Sequence, residues 1–329
     1  MDPLKQKFQE KASALATEMK ALLKEHGDKK LDEVKLRQAF GGARGVKMMI
    51  WETSALDAYE GIRFRGYSIP QLQELLPSDA KGEPKPEGLF WLMLVGEIPT
   101  VEQVDWLSGE LATRATVPAH TFAVLDALAP DTHPMTQFIT AIASMNSDSV
   151  FAQRYAEGMH KSAYWDATYE DTLNMVARLP RVAAYIYRRS FHNGDHIEPD
   201  TSLDWAANYA HMLGVPGEEF QSLMRLYLTI HADHEGGNAS AHTAHLVNST
   251  LADPYLSFAG GMCSLAGPLH GLANQEVIKW IFEMVDELGT RTPSKEQIAA
   301  YVNKTLSEGK VIPGYGHAVL RQPDPRFTA

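Results

Sequence analysis

The sequence predicts a mainly α-helical protein that carries one short β-hairpin near residues 47–67. Apolar residues recur at three- and four-residue intervals, beginning with residues 3–26, which is the spacing of an amphipathic helix. No long run rich in valine and isoleucine alternates with helical segments, so a parallel sheet is not expected. Further helices are predicted at residues 167–189, 202–213, 217–230, 239–251, about 271–288 and about 295–307.

Local signals place the ends of several elements. Residues 48–51 and 62–65 are strand-like and flank the turn-rich residues 57–61, which predicts the hairpin. Thr100 and Ser294 each precede a glutamic acid and a glutamine in the arrangement that starts a helix. The long apolar helices end near His270, so we divide the chain into a large helical domain at residues 1–269 and a small domain at residues 270–329.

Composition excludes several classes of function. The net charge of −11 argues against nonspecific binding to nucleic acid, which requires cations that neutralise phosphates. No apolar run is long enough to span a bilayer, and the N-terminus lacks a transit or signal peptide pattern. We therefore expect a cytoplasmic protein, with a processed form in the mitochondrial matrix as the alternative. The single cysteine, Cys263, lies among small apolar residues and is expected to be buried.

Three histidines in the last third of the chain stand in well-defined local settings. His234, His270 and His317 each lie beside glycine or in a short turn, where backbone and ligand can approach closely. Histidine is the side chain most easily tuned to act as acid, base or neutral donor near pH 7. Three such settings indicate one pocket, and a pocket that carries out carbonyl chemistry.

His270 directly precedes a predicted helix. The positive end of a helix dipole lowers the pKa of an imidazole, which favours the neutral ring. A neutral ring can donate its N–H to a carbonyl oxygen that is becoming an enolate. A histidine that only caps the helix remains the alternative.

A second setting is the glycine loop that leads to His317. Gly314 and Gly316 offer consecutive backbone N–H groups that suit phosphate or carbonyl oxygens, although a structural turn explains these glycines equally well. Arg321 and Arg326 follow the loop, and arginine is the natural bidentate partner of a carboxylate. Two arginines directly after a glycine loop favour a role for this segment in binding an anion.

A metal site is the weaker interpretation of the histidine-rich segment. His231, His234, His242 and His245 do not have the spacing that places two histidines on one face of a helix, and two glycines interrupt the segment. Ordinary hydrogen-bonding roles are expected instead, and no metal is predicted.

Taken together, these segments resemble the citrate synthase family, in its eukaryotic-type branch. The resemblance runs from about residue 35 to the end of the chain, with the motifs in family order. They are Gly-Gly-Ala-Arg-Gly at 41–45, Glu-Gly-Ile-Arg-Phe-Arg-Gly at 60–66, His-Glu-Gly-Gly-Asn at 234–238, Gly-Pro-Leu-His-Gly-Leu-Ala-Asn at 267–274, Pro-Gly-Tyr-Gly-His at 313–317 and Asp-Pro-Arg at 324–326.

The resemblance implies a helical homodimer in which a small domain closes over the substrates. It implies the condensation of acetyl-CoA with oxaloacetate and water to citrate and CoA, the entry to the tricarboxylic acid cycle. The CoA thioester is then a co-substrate, and neither a metal nor another cofactor is required.

The resemblance also implies roles for individual residues. His270 would hydrogen-bond the thioester carbonyl as it enolises, and His317 would polarise the ketone of oxaloacetate. The residues implied to bind oxaloacetate are His234, Asn238 and Arg326. The residues implied to contact CoA are Arg44, Lys161, Val311, Ile312, Pro313, Gly314 and Arg321. Lys161 stands where an arginine is found in the family, and a lysine keeps the charge but loses the fork geometry.

The family's catalytic aspartate would lie beyond Ala329, so the small domain is expected to be incomplete and these residues alone to show little condensation activity. The first alternative function is a 2-methylcitrate synthase that uses propionyl-CoA, since one methylene gives only modest discrimination. The second is a non-catalytic protein that only binds ligand, and the third is a metal hydrolase.

Overall fold

The computed structural model describes residues 2–42, 45–317 and 319–329. The fold is mainly α-helical, as predicted, with one small antiparallel sheet. In chain order the elements are α1 Pro3–His26, α2 Leu36–Phe40, β1 Ser54–Asp57, β2 Gly61–Phe64, β3 Tyr67–Ser68, α3 Ile69–Leu75, α4 Pro86–Val95, α5 Val101–Arg114, α6 Ala119–Ala127, α7 Pro134–Ser144, a 3₁₀ helix Met145–Asp148, α8 Val150–Ala156, a 3₁₀ helix Lys161–Ala163, α9 Tyr164–Phe191, α10 Trp205–Leu213, α11 Glu218–Ile230, α12 Ala239–Asn248, α13 Pro254–Leu265, α14 Ala273–Leu288, α15 Lys295–Ser307 and α16 Pro325–Thr328.

Capping side chains fix several helix starts. The Thr100 side chain accepts a hydrogen bond from the Gln103 N–H while Gln103 bonds back to the Thr100 backbone, and Ser294 and Gln297 repeat this arrangement. Each box satisfies two donors that a helix start leaves unpaired. Both predicted starts are therefore confirmed. The predicted helix at 239–251 begins at Ala239, as expected, but ends three residues early, at Asn248.

The core is organised around the long helix α9. Its residues Val182 and Ile186 pack with Ile142 of α7 and Tyr255 of α13 in one buried cluster. Its earlier residues, including Leu173, join a second cluster that contains Trp91 of α4 and Leu4 at the start of α1. A helix that contributes to two apolar clusters is held along its length, which explains why α9 continues through the buried Pro180.

The sheet begins later in the chain than predicted. β1 pairs antiparallel with β2 from Ser54↔Phe64 to Asp57↔Gly61, whereas residues 48–51 lie outside the sheet. The prediction of a strand at 48–51 was therefore wrong. The register follows from the turn, because the Asp57 carboxylate accepts the N–H groups of Tyr59 and Glu60 and thereby closes it.

Helices α12 and α13 pack closely against each other through two glycines. A side-chain carbon at Gly261 would lie 3.1 Å from the Ser240 carbonyl oxygen, and one at Gly260 would lie 3.0 Å from Val247. Cys263 lies on α13 but is exposed, so the prediction of a buried cysteine was wrong. It failed because the buried residues of α13 all lie between Pro254 and Gly261, whereas Cys263 belongs to the last turn of the helix, beyond them.

The last part of the chain is more exposed than the helices around α9. The rings of Trp280 in α14 and Tyr301 in α15 lie 5.3 Å apart, yet Met284 and Thr305 are the buried residues of these two helices. The division at residues 269 and 270 stays a prediction. Among the described residues, the helices are all too short or too polar to cross a bilayer.

Candidate active site

The loop between α11 and α12 carries His234. Asn238 ends this loop as the N-cap of α12, where its Oδ1 accepts the Ala241 N–H at 2.9 Å. Its Nδ2 donates to the Glu235 carbonyl oxygen at 2.6 Å, which ties the loop to the helix start. The amide of Asn238 therefore shapes the loop that presents His234.

Three of the predicted residues meet at this loop. His234 Nε2 lies 3.2 Å from Nη2 of Arg326, and the rings of His234 and His317 are 5.7 Å apart and nearly perpendicular. Arg326 also pairs with Asp324 of its own turn, with Nη2 and Oδ2 2.6 Å apart. Segments more than eighty residues apart in sequence thus form one cluster of two imidazoles and a guanidinium.

The electrostatics of the cluster keep His234 neutral. Burial lowers its pKa to about 4, and the positive charge of Arg326 adds to the effect against the opposing charge of Asp324. For Asp324, burial would raise the pKa, but the hydrogen bonds and charge of Arg326 outweigh it and the pKa is lowered. Because the guanidinium can only donate, Nε2 of His234 is the acceptor in their contact, so a neutral ring carries its proton on Nδ1.

His317 has a defined tautomer when it is neutral. Its Nδ1 accepts the backbone N–H groups of Val319 and Leu320 at 3.0 and 3.1 Å, so the ring proton lies on Nε2. An Nε2–H group is a hydrogen-bond donor that can point to a carbonyl oxygen.

His270 reaches the same loop through a short chain of hydrogen bonds. Its Nε2 lies 2.9 Å from Ser240 Oγ, which lies 2.7 Å from Asn238 Oδ1. Asn238 Oδ1 can only accept, so the single hydroxyl hydrogen of Ser240 is directed to it and the Nε2–H of His270 donates to Ser240 Oγ. If the hydroxyl hydrogen turns to Nε2 instead, the imidazole proton lies on Nδ1 and can be donated to a ligand. The pKa of His270 is lowered, as predicted, but burial is the cause and α14 begins only at Ala273.

The comparisons with known proteins agree with this arrangement. Residues 42–329 match the family model described as citrate synthase, C-terminal domain. The chain belongs to the citrate synthase family. It is 54% identical over 326 residues to "Citrate synthase 4, mitochondrial" of Arabidopsis thaliana, covering 99% of this chain and 69% of that protein. It is 56% identical over 310 residues to "Citrate synthase, mitochondrial" of Daucus carota, covering 94% of this chain and 66% of that protein.

Solved structures of the family share the fold. The citrate synthase of Pyrobaculum aerophilum superimposes with a TM-score of 0.74 at 28% identity, covering 87% of this chain and 68% of that one. Members of the citrate synthase family are acyltransferases, so the prediction of an enzyme of this class is confirmed. The chain spans about two thirds of the length of the relatives it matches.

In this member of the citrate synthase family, the predicted glycine loop lies against α14. Gly314 has φ +81°, and a side-chain carbon there would lie 2.8 Å from Cγ2 of Val277, so both conformation and space require glycine. Val311 is 81% exposed, while Ile312 and Pro313 are half-buried beside it. The backbone of residues 311–314 is thus held on α14 with one open side.

The structure describes two of the three remaining predicted CoA contacts, Lys161 and Arg321. Lys161 is exposed at the start of the 3₁₀ helix before α9, and no hydrogen bond or ion pair among the described residues joins it to the loop. Arg44 lies outside the described residues. Arg321 Nη1 donates to the carbonyl oxygens of Val319 and Leu320 at 2.8 and 3.0 Å, next to His317.

Several residues that build the site escaped the sequence analysis. Ser240 supports His270, Asp324 pairs with Arg326, and Asp233 and Glu235 anchor the loop around His234. The signal for the last two was their position on either side of His234 in a glycine-bearing segment. Among the described residues, no three histidine, cysteine, aspartate or glutamate side chains are grouped so as to hold a metal ion.

Proposed function

We propose that the protein condenses acetyl-CoA with oxaloacetate and water to give citrate and CoA, at the entry to the tricarboxylic acid cycle. The observation that carries the proposal is the cluster of His234, His317 and Arg326, with His270 linked to the same loop. The reported relatives are named citrate synthases, which favours an acetyl over a propionyl donor.

Oxaloacetate would bind at the cluster. The guanidinium of Arg326 would bind a carboxylate of oxaloacetate. The His234 ring is neutral, so it would add an N–H donor at Nδ1 without adding a second positive charge. The Nε2–H of His317 would donate to the ketone oxygen, which draws electron density from the carbon that is attacked. Asn238 supports this part of the site by capping α12 behind His234.

Acetyl-CoA would bind beside His270. Transfer of a methyl proton to a carboxylate base, the role that the resemblance gives to an aspartate, places negative charge on the thioester oxygen. With the Ser240 hydroxyl turned to Nε2, an Nδ1–H donor from His270 stabilises that enolate without a metal. The enolate carbon then bonds to the ketone carbon of oxaloacetate, whose oxygen takes up a proton, and water cleaves the resulting thioester to release CoA. The backbone N–H groups of Val311, Ile312 and Gly314 and the side chain of Arg321 are the proposed contacts for CoA, and Arg44 and Lys161 stay predictions.

The test is an assay of CoA release by the full-length protein, with His270→Ala beside it and His245→Ala, an exposed histidine on α12, as the control. We expect His270→Ala to lower kcat about 100- to 1,000-fold, the usual effect of losing one donor to an oxyanion. The control should retain activity. Binding of oxaloacetate without CoA release would support the binding-only alternative, and faster turnover of propionyl-CoA would support 2-methylcitrate synthase.

We further propose that the protein is a homodimer, in which a second copy of this chain is the partner. Helices α12 and α13 and the turn between them expose Leu246, Leu251, Leu256 and Cys263. Exposed apolar side chains on a tightly packed helix pair favour burial against another protein surface. Light scattering of the full-length protein should give the mass of two chains, and the mass of one chain would contradict the proposal.

Location and cofactor requirement complete the proposal. The relatives are named mitochondrial proteins, which favours the mitochondrial matrix over the cytoplasm that the sequence analysis preferred. The reaction uses the CoA thioester as co-substrate and requires no metal or other cofactor. Activity should therefore survive dialysis against a chelator, and its loss would overturn this part of the proposal.

A further inference from the structure

The loop that carries His234 is fastened to the polypeptide just before and within β1. We call this set of contacts the hairpin clamp. On the strand side it comprises Trp51, Thr53, Ser54 and Leu56, and on the loop side Asp233, Glu235 and Gly236. The clamp joins parts of the chain about 180 residues apart.

The first half of the clamp is the Asp233 carboxylate. Its Oδ2 accepts the indole N–H of Trp51 at 3.1 Å and the hydroxyl of Thr53 at 2.5 Å. Two donors from the strand side thus converge on one oxygen of the residue that precedes His234. A carboxylate that accepts two hydrogen bonds is held more firmly than one that faces water.

The second half of the clamp is Glu235, which follows His234. Its carboxylate accepts the Leu56 N–H at 2.8 Å, and its own N–H donates to Ser54 Oγ at 2.9 Å. Glu235 has φ +65°, a left-handed conformation that residues other than glycine, asparagine and aspartate seldom adopt. Such a conformation persists only where surrounding contacts hold it, and the clamp supplies those contacts.

Gly236 lets the loop approach Trp51. A side-chain carbon at Gly236 would lie 2.8 to 3.0 Å from three atoms of the Trp51 side chain. A side-chain carbon at the neighbouring Gly237 would come no closer than 3.3 Å, and only to the flexible end of Glu235. The requirement for glycine at 236 is therefore steric and specific to the clamp.

The far end of the same hairpin holds the other side of the site. The backbone N–H of Arg321 donates to the Ala58 carbonyl oxygen at 2.7 Å, and a side-chain carbon at Gly61 would clash with the Pro325 ring. Pro325 directly precedes Arg326. The hairpin is thus in contact with both segments whose side chains meet in the pair of His234 and Arg326.

We propose that Asp233 and Glu235 are positioning residues, whose carboxylates fasten the His234 loop to the hairpin and so set the placement of His234 against Arg326. The inference deepens the proposed function and rests on it for the identity of the ligand, oxaloacetate. Neither carboxylate bonds to His234 in the contacts above, so their effect on the ligand passes through the backbone of the loop. If the two carboxylates only stabilised the fold, removing one would lower the free energy of unfolding and leave the affinity for oxaloacetate unchanged.

The test compares Glu235→Ala with Glu235→Gln in the full-length protein. The glutamine Oε1 can still accept the Leu56 N–H, whereas alanine cannot. We expect Glu235→Ala to raise KM for oxaloacetate about tenfold or more and to leave KM for acetyl-CoA within about twofold. Glu235→Gln should stay close to the wild type. Glu60→Ala is the matched control, because it removes a carboxylate that pairs with Arg63 inside the hairpin.

A second measurement is independent of oxaloacetate. An NMR titration of the His234 ring should show that its low pKa rises in Glu235→Ala, because a released loop exposes the ring, and stays low in Glu235→Gln. Loss of negative charge alone would lower the pKa in both variants. If Glu235→Ala does not fold, Glu235→Gly replaces it, because glycine adopts the positive φ readily.

The outcomes separate the two proposals. A wild-type protein that fails to bind oxaloacetate refutes the proposed function, while the titration of His234 still decides the clamp. Equal behaviour of the alanine and glutamine variants overturns the clamp, and so does a loss of thermal stability with KM for oxaloacetate unchanged. A selective rise in KM together with the rise in the His234 pKa supports it.

Discussion

Acidification should destabilise the folded protein through His234. The ordinary pKa of a histidine is 6.5, and burial together with the positive charge of Arg326 lowers that of His234 to about 4. Between these two values the unfolded chain binds a proton at this ring that the folded protein does not bind. The free energy of unfolding therefore falls as the pH falls from 6.5 towards 4, and the contribution is restored above 6.5.

The size of this effect follows from the two pKa values of His234. Going from pH 7 to pH 5, the linkage relation gives a loss of about 2 kcal/mol for a shift of this size. The ring is partly exposed, so solvent screens part of the interaction, and a loss of about 1 kcal/mol is the expected value. Such a change is measurable in a domain whose total stability is about 5–15 kcal/mol.

The assay is urea unfolding at pH 7 and pH 5 for the wild type and for His234→Gln. Other groups titrate in both proteins, so their contributions cancel in the difference between the two. We expect this difference to move by about 1 kcal/mol in favour of the variant at pH 5. His245→Gln, at an exposed position on α12, controls for the loss of a histidine. The same pH dependence in the wild type and in His234→Gln would refute the argument.

Two further substitutions test the glycine loop and the support of His270. Gly314→Ala should destabilise the protein by about 1–3 kcal/mol, because the new methyl group would lie 2.8 Å from Val277 at a positive φ. Gly316→Ala shares the positive φ but meets open space, so thermal unfolding should show a smaller loss, and equal losses would contradict the packing argument. Ser240→Ala should lower kcat about tenfold, because the hydroxyl at 2.9 Å sets the tautomer of His270. An unchanged kcat in a steady-state assay would contradict that role.

Helix positions could be predicted because their signals are local. The boxes at Thr100 and Ser294 are complete within four residues, and the apolar period of α1 is visible without any partner. The strand at 48–51 could not be judged in this way. A strand exists only where another strand pairs with its backbone hydrogen-bonding groups. The turn closed by Asp57 aligns Ser54–Asp57, and not residues 48–51, with β2.

Burial was less predictable than helix formation. The residues around Cys263 are small and apolar up to the end of α13, so the sequence does not say how far along the helix the core extends. The same difficulty applies to His270. Its lowered pKa was predicted from a helix dipole, but burial causes it, and its ring contacts Ser240 of α12, the helix that Gly261 of α13 lets approach closely.

The sequence by itself determined the helical class, the family and the residues of the candidate site, the three histidines and Arg326, because helix periods, caps and family motifs are formed by residues that are neighbours in the chain. Only the tertiary structure decided which of these residues touch. His234 meets His317 and Arg326 because a hairpin far earlier in the chain holds both segments, and Asp233 and Glu235 supply part of that attachment. Contacts between distant segments depend on packing and on pairing of hydrogen-bond donors with acceptors, and no local pattern in the chain specifies them.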